Sequence, residues 1–195
     1  MAKELLGWME ADRREFEVLY VVSTKPFNSP KYNHIEVRAR ADVYDAADYL
    51  LAVMDPYLKR KIARENEDRW ATYVHDTACV SSYAEIGQGS ILAPWSMITG
   101  DGRCGKFVFL SGHATIGHDS DVGDYSSVLP YSELLGHSSL GCNCLMGANS
   151  FLYHGVHVPA GSRISVGAVV RKTPDCPATH YGDPRGAHRI ISHDD

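Results

Sequence analysis

The sequence predicts a mainly β chain, a parallel β-helix preceded by a small α/β unit. Three observations carry that expectation. Apolar residues recur at an unbroken step of six from Val80 to Val170, small residues form a second column two places ahead of them, and glycines fall directly after several of the apolar positions.

From Val80, Ile86 and Leu92 through to Ile164 and Val170, all sixteen positions spaced by six are apolar. The second column runs from Ala78, Ala84 and Ser90 to Ser162 and Ala168, and every member is small or β-branched. Glycine follows the apolar residue at Gly87, Gly105, Gly117, Gly123, Gly141 and Gly147, where a chain turning a corner benefits from a residue without Cβ. A helical period of 3.6 cannot hold a step of six on one face for sixteen repeats, and simple strand alternation predicts no such spacing. Six residues therefore make one side of a triangular prism and eighteen make a coil. Sixteen repeats make a little over five coils, stacked about 4.8 Å apart with the apolar column inside.

Residues eighteen apart then lie above one another. His118 stacks over Gly100 and under Gly136, with His154 one coil further. Asp119 lies between Asp101 and His137, and Trp95, His113, Tyr131 and Asn149 make a third column.

Residues 1–72 read differently. Residues 2–13 read as a helix, EVLYVVS (17–23) and YLLAVM (49–54) as buried strands, and IEVRA (35–39) as a shorter strand. DPYLKRKIAREN (55–66) reads as a helix opened by Asp55 with Pro56 in its first turn. Strands alternating with helices indicate a small, parallel α/β unit. The prism is expected over 73–175, and 176–195 as a C-terminal tail.

Composition narrows the function classes. The 195 residues are 44% hydrophobic, enough for a substantial core, and the formal charge of −5 comes without a basic run that could track a phosphate backbone. No apolar run reaches the roughly 18 residues that a membrane-spanning helix needs. The start, MAKELLGWMEADRREF, is charged and amphipathic, unlike a signal peptide, so a cytoplasmic protein is expected. Five cysteines without a CxxC spacing suggest neither a disulfide framework nor a four-cysteine zinc site.

The stretch TIGHDSDVGD (115–124) concentrates the chemistry. His118 lies two places past the inward Ile116 and should point outward, with room for a ligand beside Gly136. A histidine there suits a general base, because its pKa lies near the working pH. A carboxylate would orient the ring, but neighbours on a strand face opposite ways. Asp119 therefore bonds His118 only if the corner bends suitably, and otherwise pairs with His137.

With these residues in view, the chain resembles the left-handed β-helix sugar acetyltransferases that carry a Rossmann-like domain in front, of the UDP-4-amino-sugar N-acetyltransferase and sialic-acid O-acetyltransferase type. LLAVMDPYLKRKIARE, YVHDTACVSSYAEIGQGSIL, ATIGHDSDVGDYSSV, LLGHSSLGCNCLMGANS, ISVGAVVRKTPDC and YGDPRG carry the resemblance in family order. It implies a left-handed parallel β-helix, acetyl-CoA as the acyl donor, no metal cofactor, a sugar or nucleotide-sugar acceptor, and a homotrimer with sites between prisms. By resemblance, His118 is the general base and Asp119 its assistant, Gly136 holds the pantetheine near the thioester, and Gly147, Ala148, Asn149, Gly182 and Pro184 line the rest of the cofactor groove. Ser111 stands where the family has an asparagine, and Ser127 where the amino-sugar enzymes have a second histidine, making both acceptor-contact positions. The family's first strand and glycine-rich loop have no counterpart before MAKELL, so an altered or shortened nucleotide site is expected.

Two other patterns are informative. From Phe107 to Ser162 there is no lysine or arginine, whereas Arg163, Arg171, Lys172, Arg185 and Arg189 follow, so the C-terminal end of the prism suits the phosphates of coenzyme A. His113 and His118, five apart, also match the spacing of gamma-class carbonic anhydrases, left-handed β-helix trimers that bind zinc between subunits; His137 or His154 would supply the third ligand. A non-catalytic scaffold is the remaining alternative.

Overall fold

A computed structural model describes residues 2–11, 20–22, 36–38, 48–65, 69–182 and 188–192. It is a left-handed parallel β-helix, as the repeat and the resemblance imply. Two-residue strands recur every six residues from Tyr73–Val74 to Val169–Val170, so the repeat starts one step earlier than Val80. They form three parallel sheets, one for each face of the prism. The first face carries Ile91–Leu92, Phe109–Leu110 and Ser127–Val128; the second Met97–Ile98, Thr115–Ile116 and Glu133–Leu134; the third Arg103–Cys104, Asp121–Val122 and Ser139–Leu140. Pairing runs in steps of eighteen, as in Thr115 with Met97 below and Glu133 above. The step shortens to sixteen only where Arg163 pairs with Thr179, at the strand Ala178–Gly182, which turns back antiparallel against His188–Ser192.

The inward column is buried throughout its length. From Leu92 to Val170 every member is at most 3% exposed, while Val80 and Ile86 at the N-terminal end are half-buried. Burying a side chain of this size contributes roughly 1.5–3 kcal/mol, so the column is the chief source of stability. The small column is buried as well, and its serines do more than save space. Ser90, Ser126 and Ser132 donate their hydroxyls to the carbonyls of Gly105, Gly141 and Gly147, fifteen residues on. The oxygens of Ser90 and Ser126 accept the N–H groups of Val108 and Cys144 on the next coil. Each hydroxyl thus joins two coils while satisfying its own buried polar group.

Most corners share one conformation. The second corner residue lies in the left-handed region at Trp95, His113, Asp119, Tyr131 and His137, with φ between 54° and 59°. At His113, Tyr131 and His137 its N–H donates to the carbonyl of the first corner residue one coil below, as His137 does to His118, whereas Trp95 N–H donates to Thr77 Oγ1 at 3.1 Å. The corner below His118 differs, because Gly100 itself takes the positive φ of 56°. There Asp119 N–H donates instead to the Asp101 carboxylate at 2.8 Å.

The N-terminal segments described here cover the first face. Helix α1 (Ala2–Ala11) brings Leu5, Trp8 and Met9 onto Ile91 and Phe109, and Trp8 stacks on Phe109 at 6.4 Å. Helix α2 (Pro56–Arg64) starts at Asp55, whose carboxylate accepts the Leu58 N–H at 2.8 Å. Two of the expected strands are present as a parallel pair, Tyr20–Val22 with Glu36–Arg38. The strand expected over 49–54 is not. Only Asp48–Tyr49 pairs, with Arg69–Trp70, and the apolar run beyond it crosses the first face without strand pairing, packing Leu50 and Ala52 into the core there. The remainder of the expected α/β unit lies outside the described residues.

Candidate active site at a prism corner

The corner that joins the second face to the third carries Gly117, His118, Asp119 and Ser120. Both side chains expected there are exposed, and they touch: His118 Nδ1 lies 2.7 Å from Asp119 Oδ2. The left-handed backbone at Asp119 makes this contact, because it removes the alternation that would send neighbouring side chains to opposite sides. The second expected partner also approaches, with His137 Nε2 3.7 Å from the same carboxylate oxygen. Asp119 therefore lies between two histidines, bonded closely to one. The hydrogen bond from His118 holds its carboxyl below the usual carboxylate range, aided by the charge of His137 and opposed by partial desolvation. An ionised carboxylate makes Nδ1 the protonated nitrogen and leaves Nε2 as an acceptor.

Glycine is required on both sides of His118 in its column. A Cβ on Gly100 would lie 2.9 Å from His118 Cβ, and one on Gly136 would overlap Nε2 and lie 2.5 Å from Cε1. The space expected beside Gly136 is thus filled by the imidazole of His118. Nε2 faces the Gly136 backbone, whose N–H has no hydrogen-bond partner among the described residues. Above, the rings of His118, His137 and His154 succeed one another edge to face at 5.1 Å.

The other expected site residues lie elsewhere in the chain. Ser111, Gly147, Ala148 and Asn149 stand at the corner between the first and second faces. That corner also carries the stacked rings of Trp95, His113 and Tyr131, at 5.3 and 4.7 Å. Ser127 is fully buried under α2, where its hydroxyl donates to Met54 O at 2.7 Å and accepts from Lys59 Nζ at 2.8 Å. An acceptor cannot reach it there. Gly182 ends the strand Ala178–Gly182, and Pro184 lies outside the described residues. Arg163, counted among the basic residues of the C-terminal end, faces Asp55 at 3.8 Å and lies over the Tyr57 ring, whereas Arg171 and Lys172 are exposed. His113 and His118 occupy different corners of the prism, on either side of the second face.

Sequence reasoning missed Asp101 as the acceptor for Asp119 N–H, although the eighteen-residue register places it directly below. It also missed Lys59, a buried lysine bonded to Ser126 O and Ser127 Oγ, for which the sequence carries no signal.

No family model and no curated protein matches the sequence. Solved structures do. PerB from Caulobacter crescentus, in complex with CoA and GDP-perosamine, is 25% identical over 75% of this chain and 70% of its own, with a TM-score of 0.68. The acetyltransferase domain of PglB from Neisseria gonorrhoeae, in complex with acetyl coenzyme A, is 21% identical, covering 97% of this chain and 93% of its own, with a TM-score of 0.85. WeeI from Acinetobacter baumannii is 19% identical, covering 97% and 94%, also with a TM-score of 0.85. The likeness read in the sequence is thus found again in three dimensions, to sugar acetyltransferases built on this β-helix.

Proposed function

We propose that this chain is an acetyl-CoA-dependent acetyltransferase whose acceptor is an amino or hydroxyl group of a sugar or nucleotide-sugar. The observation that carries the reading is the Asp119-anchored His118, with Nε2 free beside the Gly136 backbone on a fold 25% identical to a protein that binds CoA and GDP-perosamine. His118 Nε2 takes the proton of the acceptor as its nitrogen or oxygen attacks the thioester carbonyl. The C–S bond then breaks, and the coenzyme A thiolate leaves, receiving that proton from the imidazolium. To the Gly136 N–H we assign the bond to the donor near the thioester. No acyl-enzyme is needed, and alignment of the two substrates supplies much of the rate.

A homotrimer accounts for the scattered residues. The two corners that carry them, with His118 at one and Ser111 and Gly147–Asn149 at the other, flank the same second face. Threefold packing on that face brings the first corner of one copy against the second corner of the next, completing a groove for the cofactor from two copies. It also covers Trp95 and Tyr131, which are 59% and 56% exposed in the single chain. The region before Tyr73, read as a small Rossmann-like unit, is the natural place for the acceptor's nucleotide. No described helix is long and apolar enough to cross a membrane.

Replacing His118 with Ala is expected to lower kcat by roughly 10²- to 10⁴-fold with the fold intact. Release of free coenzyme A thiol, measured against amino- and hydroxy-sugars and their nucleotide conjugates, is the test. Unchanged turnover in that variant removes His118 from the mechanism, and no thiol release with any acceptor overturns the activity.

A further inference from the structure

We propose that His118, Asp119 and His137 form a binding site for a zinc-class transition-metal ion, and that the bound ion switches the chain off. The binding half stands on geometry alone; the inhibitory half rests on the acetyltransferase reading above.

One ligand atom from each of the three residues can be chosen so that all lie within 4.8 Å of one another. In the ligand-free chain the Asp119 carboxylate oxygen is 2.7 Å from His118 Nδ1 and 3.7 Å from His137 Nε2. Around a tetrahedral Zn²⁺ with bonds near 2.0–2.1 Å, neighbouring ligand atoms stand about 3.3 Å apart. The first separation is shorter than this and the second longer, so the ion fits after small opposed movements. The side chains are free to make them, being 57%, 45% and 54% exposed for His118, Asp119 and His137. Their backbones are not free. His137 N–H is bonded to His118 O at 3.1 Å, Asp119 N–H is tied to Asp101, and both Asp119 and His137 are held in the left-handed corner conformation. The site is therefore spaced by the coil repeat before any ion arrives. Two imidazoles and one carboxylate suit zinc, nickel or copper(II) better than calcium or magnesium, and three ligands leave one position for water.

Inhibition follows from which nitrogen the ion uses. An ion between His118 and Asp119 takes the place of the proton on Nδ1. The neutral ring keeps one proton, which moves to Nε2, and Nε2 then has no lone pair with which to accept the acceptor's proton. The ion needs no deep desolvation and displaces only that hydrogen bond and the looser approach of His137 to the same carboxylate.

The test is calorimetric titration of the metal-free, tag-free chain with zinc chloride. One saturable Zn²⁺ per chain is expected, with affinity at least tenfold weaker in His137→Ala and in Asp119→Asn and unchanged in His154→Ala, all with native far-UV circular dichroism. No saturable binding, or equal affinity in His137→Ala, overturns the site. In parallel, zinc should abolish thiol release from acetyl-CoA over the concentration range in which it binds, and excess EDTA should restore it. Binding without inhibition overturns the switch. A metal-free chain that transfers no acetyl group defeats the acetyltransferase reading while the titration still decides the site.

Discussion

Gly136 is the residue on which the candidate site depends most and whose role is least visible from its own chemistry. It has an ordinary φ, so the left-handed freedom of glycine is not what the position needs. What it needs is the missing methyl, because a Cβ would enter the imidazole of His118. Gly136→Ala is therefore expected to push the ring off Asp119 and reduce kcat more than KM for acetyl-CoA, with a thermal midpoint shifted by only a few degrees. A variant with wild-type kcat would show that the ring's seat between Gly100 and Gly136 is immaterial to turnover. At this scale the sequence was informative about position and silent about contact. The register of eighteen placed His118 under Gly136 and Asp119 under His137. It did not decide between the two partners of Asp119, because that depends on the φ of one non-glycine corner residue, and alternation reasoned from strands points the wrong way there.

Among the elements, α2 shows how the N-terminal part is locked to the prism. Its buried residues are Pro56 and, against expectation for a charged side chain, Lys59. Lys59 is 2% exposed, its ammonium bonded to Ser126 O and Ser127 Oγ, and burial brings its pKa from 10.5 down to about 7 despite the opposing pull of Cys104 and Asp55. In the unfolded chain the amine holds its proton up to about pH 10.5, so between about pH 7 and 10.5 the unfolded state binds more protons than the folded one. Stability from this group is thus absent below about pH 7 and grows as pH rises, by up to roughly 1.4 kcal/mol per pH unit. Denaturant unfolding from pH 6.5 to 9.5 should show that rise in the wild-type chain relative to Lys59→Met, and parallel curves would mean that Lys59 is protonated to the same extent in both states. The helix itself was legible from Asp55 and Pro56. The lysine was not, because its burial is decided by a surface 67 residues away in sequence. The run YLLAVM misled for a related reason: a short apolar stretch reads alike whether it pairs as a strand or packs as a loop on a face that needs cover.

For the molecule as a whole, the architecture was the most legible feature, since a step of six maintained from Val80 to Val170 has no other compact solution. What six cannot convey is that the three faces differ. The inward column is indifferent to them, yet the first face is roofed by α1 and α2, the third carries the exposed Glu85–Arg103–Asp121 ladder, and the corners flanking the second hold the candidate chemistry. The repeat consequently works as a three-position index. Excising six residues, for example 145–150, leaves every inward residue in phase and turns all that follows by one position. Arg163 would then leave the face where it meets Asp55 and Tyr57 and arrive on the next one round. Excising eighteen, for example 141–158, advances the remainder by one full revolution and returns each residue to its own face. Both deletions should keep β-type circular dichroism and the bonds of Lys59 to Ser126 and Ser127, which precede the cut, but only the full revolution should keep Arg163 on the face that α2 covers, read as the smaller loss of α2 amide protection from hydrogen exchange. Equal protection in the two would mean that the helix is indifferent to the face on which Arg163 lies. A chain of this kind can gain or lose length only in whole revolutions without scrambling its outside, however well its inside tolerates thirds.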